Sequence, residues 1–175
     1  MLEVGQKAPG FDLPDASMNM VSLEDFLGQR NVVLYFYPKD GTPSCVRQGI
    51  DFSELEDEFT RHETIVFGVS LDDCLSHASF RDKHGLTVNL LADCEGEVCR
   101  KYGVAHEKEI DGVKRFSIDR STFIIDKQGT LRYVLRTESP KGHAEEVLKL
   151  ITKAECFSSK NMDVAVAPTT KKRVG

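Results

Sequence analysis

Four stretches of the chain are apolar without interruption, and polar, helix-periodic segments separate them. Asn31-Val-Val-Leu-Tyr-Phe-Tyr37 is an unbroken β-branched and aromatic run closed by Pro38, and Thr64-Ile-Val-Phe-Gly-Val-Ser70 and Ser121-Thr-Phe-Ile-Ile-Asp126 have the same character. Val88-Asn-Leu-Leu-Ala92 is a shorter run. Continuous rather than alternating hydrophobicity predicts central strands covered on both faces. Asp126-Lys-Gln-Gly129 reads as a turn, and Thr130–Arg136 after it reads as the second arm of a hairpin.

Between the strands the period changes. Apolar residues at 46, 50, 52, 55 and 59 approximate one face of a helix from Cys45 to about Arg61, while Asp51, Glu54, Glu56, Asp57 and Glu58 supply a solvated face. Asp72 or Asp73 caps a second predicted helix running to about His84, stopped by Gly85. Glu95–Tyr102 reads as a short helix ended by Gly103, and Gly142 to about Lys153 as a last one, with Ala144, Val147, Leu148 and Ile151 on one face. The polar stretch from His106 to Ile118 reads as a loop or irregular edge. A βαβ start, a hairpin and a final helix suit an α/β thioredoxin-like fold, a central mixed β-sheet flanked by helices. The rival, a doubly wound nucleotide-binding fold, lacks both of its glycine-rich phosphate signatures here. The pattern divides the chain into one domain over 1–155 and a polar, aperiodic tail over 156–175.

Composition narrows the classes. A length of 175 residues, 40% hydrophobic and 29% charged, is that of a single self-sufficient globular domain. A net charge of −5 offers no general attraction for nucleic acid or anionic lipid. The longest apolar run is far below the ~20 residues of a membrane helix. The opening Met1-Leu-Glu-Val-Gly5 has no apolar core of a signal peptide, so a cytoplasmic location is expected.

Five cysteines, Cys45, Cys74, Cys94, Cys99 and Cys156, are odd in number and scattered, unlike a disulfide framework, and their spacing fits no zinc site. One of them stands apart. Tyr35-Phe-Tyr-Pro-Lys-Asp-Gly-Thr-Pro-Ser-Cys45 runs from a buried strand through a short loop into the first turn of a helix. Unpaired N–H groups and the positive dipole end stabilise an anion there, so a thiol at that position is more often the nucleophilic thiolate. Thr42 can aim its hydroxyl beside the sulfur, Pro43 stiffens the loop, and Pro38 removes an N–H and shields the pocket. The residues themselves leave a buried, inert Cys45 open as well.

Pro38-x-x-x-Thr42-x-x-Cys45 matches the active-site motif of the peroxiredoxins at every fixed position. The flanking Tyr35-Phe-Tyr-Pro-Lys-Asp40, Gly68-Val-Ser70, Ser76-His77, Ser121–Asp126 and Pro140-Lys-Gly-His-Ala-Glu-Glu-Val147 resemble the bacterioferritin-comigratory or PrxQ subfamily, from about Val4 to Ile151. The resemblance implies a peroxidase in which Cys45 attacks a hydroperoxide and becomes a sulfenic acid, with no metal, haem or flavin. It also implies that Arg120, which on its own would more often be a solvated surface charge, completes the pocket with Thr42 and Pro38. It implies thioredoxin or another dithiol as reductant, and a monomer. Where many members carry a second cysteine this chain has Ile50, and where others carry it this chain has Arg81. The resolving thiol is therefore Cys74, at the start of the next helix, Cys156, in the tail, or none; Cys94 and Cys99 read as a turn and a core residue. His77 and His143 read as local hydrogen-bonders on their helices. A thioredoxin-type oxidoreductase would need Cys-x-x-Cys, but Val46-Arg-Gln48 follows Cys45. A redox sensor or holdase is the second alternative.

Overall fold

In the computed structural model, residues 2–136 and 139–153 are described; the tail over 156–175, with Cys156, lies outside them. β1 (Asp12–Pro14) and β2 (Met20–Ser22) form a small antiparallel pair ahead of the main sheet. The main sheet consists of β3 (Asn31–Phe36), β4 (Thr64–Ser70), β5 (Asn89–Ala92), β8 (Ser121–Ile125) and β9 (Leu131–Arg136). Its order is β5-β4-β3-β8-β9, with β3, β4 and β5 parallel and β8 and β9 antiparallel to their neighbours. The parallel strands are joined by α1 (Pro43–Glu54), α2 (Glu56–Arg61) and α3 (Cys74–His84). A short α4 (Glu97–Lys101) follows β5, and α5 covers 143–153. The α/β sheet flanked by helices is the architecture the sequence predicts.

The unbroken run in β3 explains why both faces of the sheet are dry. Val32, Leu34 and Phe36 enter one buried cluster with Phe67, Val69, Phe123, Ile125, Val98 and Cys99. Val33, Tyr35 and Tyr37 enter the other with Phe52 of α1, Phe59 of α2, Phe80 of α3 and Val147 of α5. Alternate side chains of one strand thus serve two cores.

Three expectations are corrected. The predicted helix over 45–61 starts earlier, at Pro43, and divides at Leu55, whose φ of −98° and ψ of 6° leave the helical region. The stretch expected as a loop is a hairpin, β6 (Ala105–Ile110) with β7 (Val113–Ile118), turned by Asp111 and Gly112 at positive φ. Its strands pair with each other and expose most of their side chains, so no apolar alternation advertises them. His77 and His143 are tertiary rather than local hydrogen-bonders: His77 reaches Asp40 and the Leu91 carbonyl, and His143 Nε2 lies 2.8 Å from Thr122 Oγ1.

Gly68 has a packing reason. It sits opposite Tyr35 in the β3–β4 register, and a Cβ there would come within 2.6 Å of Tyr35 Cζ and 2.7 Å of its hydroxyl oxygen. Tyr35 has little room to yield, because its ring stacks on Phe52 at 4.6 Å. Gly68→Ala is expected to lower stability by about 1–3 kcal/mol through overpacking, measured by urea denaturation. Burial of His143 disfavours its charged form and lowers its pKa, with Glu146 opposing. Its neutral form therefore supports the fold above the ordinary value of 6.5, and stability is lost as pH falls below it. The decline in denaturation midpoint between pH 7 and pH 5 should become shallower in His143→Gln.

Candidate active site

Three chain segments converge on Cys45. β3 delivers Tyr35 and Tyr37 and then stops, because Pro38 has no N–H to extend a ladder. Gly41, at φ 84°, turns the loop, and Thr42 and Pro43 set the N-cap and first position of α1. Cys45 is then the third helical residue, 2% exposed, in the first turn, where helix geometry leaves backbone N–H groups without an intrahelical acceptor.

The third segment is the two-residue corner between β7 and β8. Arg120 leaves it to place Nη2 3.1 Å from Cys45 Sγ, donating to the sulfur, and Nη1 2.9 Å from Gln48 Oε1. Gln48 lies one turn after Cys45 on α1 and is 1% exposed. It fixes the guanidinium by occupying its second arm, a role the sequence reading did not assign; its helical offset of three from Cys45 was the available signal.

Burial around the site holds the protons of its two tyrosines. Burial, then the charge of Cys45, raises the Tyr35 pKa well above its ordinary value. Burial, then Tyr35 and Asp40, does the same to Tyr37. Cys99 is fully buried, and burial followed by Asp93 raises its pKa far above the ordinary thiol value, as suits a core residue. Cys94 is an exposed turn residue, and Cys74 opens α3.

Thr42 and Pro38 differ in detail from expectation. The Thr42 hydroxyl donates to the Lys39 carbonyl at 3.1 Å, so its oxygen is left to accept rather than to donate. Pro38 is exposed, and Cys45 is buried instead in the cluster that holds Tyr35 and Tyr37.

The loop itself is pinned from behind by Asp40. Its Oδ1 accepts from Tyr37 at 2.6 Å, while Oδ2 accepts from Ser76 at 2.8 Å and lies 2.7 Å from His77 Nδ1. Its backbone N–H donates to Asp72 Oδ2 at 2.8 Å, an atom that also accepts from Ser70. Asp40, Asp72 and His77 have metal-ligand atoms within 4.8 Å of one another, and both Asp40 oxygens and Asp72 Oδ2 are engaged by these donors. The cluster is therefore a hydrogen-bond hub joining the Cys45 loop to the start of α3.

An arginine-paired cysteine at a helix start, with a threonine acceptor three residues earlier, is suited to nucleophilic attack with charge stabilisation. The comparisons agree. Residues 4–134 match the AhpC/TSA family. The chain is 37% identical to peroxiredoxin Bcp of Bacillus subtilis over 150 residues, 86% of this chain and 95% of the relative. It is also 37% identical to that of Escherichia coli over 147 residues, 84% and 94%. Among solved structures, a cysteine-to-serine mutant of Xylella fastidiosa PrxQ superposes with a TM-score of 0.81 at 32% identity, covering 88% of this chain and 98% of that one. The Xanthomonas campestris bacterioferritin comigratory protein, described for its alkyl peroxide reduction activity, gives 0.77 at 32% identity, covering 83% and 92%. The match through the whole segment that builds the Cys45 site places the chain in the AhpC/TSA family of peroxiredoxins, as a thiol-dependent peroxidase.

Proposed function

We propose that Cys45 is the peroxidatic nucleophile, Arg120 its charge partner, and Thr42 and the first-turn N–H groups of α1 the substrate positioners. The observation that carries this assignment is the 3.1 Å bond from Arg120 to Cys45 Sγ inside a nearly closed site. The thiolate attacks the distal peroxide oxygen, so an S–O bond forms as the O–O bond breaks. The proximal oxygen leaves as water or an alcohol, taking the proton it needs. Thr42 Oγ1, already donating to Lys39, accepts from the hydroperoxide O–H and holds it in line. The N–H groups at the helix start and Arg120 meet the negative charge as it moves from sulfur to oxygen. The product on the protein is a Cys45 sulfenic acid.

The reduction half uses a thiol. Cys74 is the favoured resolving residue, because Ser76 and His77 of its own first helical turns bond Asp40 of the Cys45 loop. Its attack on the sulfenic sulfur forms a 45–74 disulfide and releases water. Bonded cysteines need Cα atoms within about 7 Å, so the first turn of α1 or α3 unwinds to allow it. Thioredoxin or another dithiol then regenerates the enzyme. A monomer working in the cytoplasm fits this cycle, and no described helix is long and apolar enough to cross a membrane. Pro38 serves by ending β3 rather than by covering the sulfur. The fold over 1–155 is the catalytic unit, with 156–175 an appendage to it.

Cys45→Ser should abolish peroxide turnover in a stopped-flow assay, and retained activity would refute the assignment. Arg120→Met should slow Cys45 oxidation by about 10²–10³-fold, the cost typical of removing one donor from a developing charge. Gln48→Ala leaves Arg120 in place but unbraced, and should slow the same step by about tenfold or less. Equal losses in the two variants would show that Arg120 acts only structurally.

A further inference from the structure

Cys94 is an exposed thiol that neither the family motif nor the peroxidase cycle uses. It stands in the turn between β5 and α4, exposed, with its Sγ–H directed at the Asp72 carbonyl at 3.9 Å. Asp72 lies two residues before Cys74 and is the residue whose carboxylate holds the Asp40 N–H of the Cys45 loop. The sulfur of Cys94 therefore touches the backbone leading directly into the first turn of α3. The two cysteines also sense each other electrostatically: burial first, then Asp73, Cys74 and Glu95, hold the Cys94 thiol above its ordinary pKa. On its outer side Cys94 lines a groove of about 710 Å³ together with Asp12, Glu24, Asp93, Glu95 and Glu97.

We propose that Cys74 and Cys94 form a second redox pair, which takes the disulfide over from Cys45 and presents it at this groove to an external dithiol. The proposal rests on the peroxidase reading above. Peroxide oxidises Cys45 to the sulfenic acid. The Cys74 thiol displaces its oxygen as water, making the 45–74 disulfide. The Cys94 thiolate then attacks Cys74 Sγ: the 74–94 bond forms, the 45–74 bond breaks, and Cys45 leaves with the electron pair while the Cys94 proton passes to solvent. No oxidant beyond the peroxide is consumed. Direction follows from charge. A thiolate at Cys45 has the Arg120 bond, whereas a thiolate at Cys94 faces Asp73 and Glu95, so negative charge settles on Cys45 and the disulfide on the pair containing Cys94. Transfer also frees Cys45 to return to its buried, arginine-bonded position and keeps the oxidised form where a reductant can reach it.

Full-length protein treated with one equivalent of hydroperoxide, alkylated and mapped by non-reducing peptide mass spectrometry should carry a 74–94 linkage with Cys45 alkylated. In Cys94→Ser the 45–74 disulfide should accumulate in its place. Diamide, which oxidises neighbouring dithiols without peroxide, should form the 74–94 bond in Cys45→Ser. A wild-type end product of 45–74, 45–156 or sulfinic Cys45, with Cys94 alkylated, overturns the transfer. Failure of diamide to link the pair overturns their proximity. Absence of a trappable sulfenic acid on Cys45 in Cys74→Ser, where no thiol resolves it, overturns the peroxidase reading and the transfer with it, and the diamide result still distinguishes that failure from a misplaced pair.

Discussion

A sulfur that is 2% exposed can carry negative charge only if a donor reaches it inside the protein, and Arg120 does so at 3.1 Å. Much of the local architecture serves that contact. β3 must end at Pro38 for the loop to turn, and α1 must begin at Pro43 for Cys45 to fall in its first turn. β8 must pair antiparallel with β3 so that its first residues lie beside the strand's carboxyl end; the register places Ser121, the neighbour of Arg120, opposite Phe36. Gln48 then limits where the guanidinium can point. Sulfur and amide come from α1 and the guanidinium from the corner before β8, and the two segments meet because β3 and β8 pair side by side.

Behind the loop, the Asp40 hub solves a second problem of burial. Its partner His77 is fully buried, and Leu91 O can only accept, so Nε2 carries a hydrogen. His77 Nδ1 lies 2.7 Å from Asp40 Oδ2. Polar groups buried this way are costly if half-satisfied and rigid when complete. Both Asp40 carboxylate oxygens are engaged, by Tyr37, Ser76 and His77, and Asp72 Oδ2 accepts from the Asp40 N–H and from Ser70. The hub ties the Cys45 loop to the helix that starts with Cys74, so any disulfide exchange between them has to loosen the same set of bonds.

The elements with a clear period were legible. The strands β3, β4 and β8, the β8–β9 hairpin, a cap at Asp72 or Asp73, of which the structure uses Asp73, and the Gly85 stop follow from residue patterns of range two to four. The β6–β7 hairpin was hidden because most of its residues are exposed, so burial wrote no alternation into it. The break at Leu55 was hidden because Leu55 and Phe59 continue the apolar face across it. Gln48 escaped notice because a buried glutamine on a helix resembles a surface one until the donor to its Oε1 is located.

By itself the sequence placed the Cys45 thiol in the first turn of a helix, since strand, proline, threonine and cysteine at fixed spacing define that helix start, and its resemblance to the peroxiredoxins singled out Cys45 and Arg120. Only the tertiary structure decided that Arg120 bonds the sulfur, that Gln48 braces it, that His77 closes on Asp40, and that Cys94 lies against the entry to α3. The physical reason is range. Capping, turns and amphipathic faces are settled by residues a few positions apart, whereas these bonds join residues separated by 72, 75, 37 and 22 positions for the arginine–glutamine, arginine–cysteine, histidine–aspartate and cysteine–aspartate pairs. Contacts of that span exist only once the sheet has assembled and brought the strand ends together.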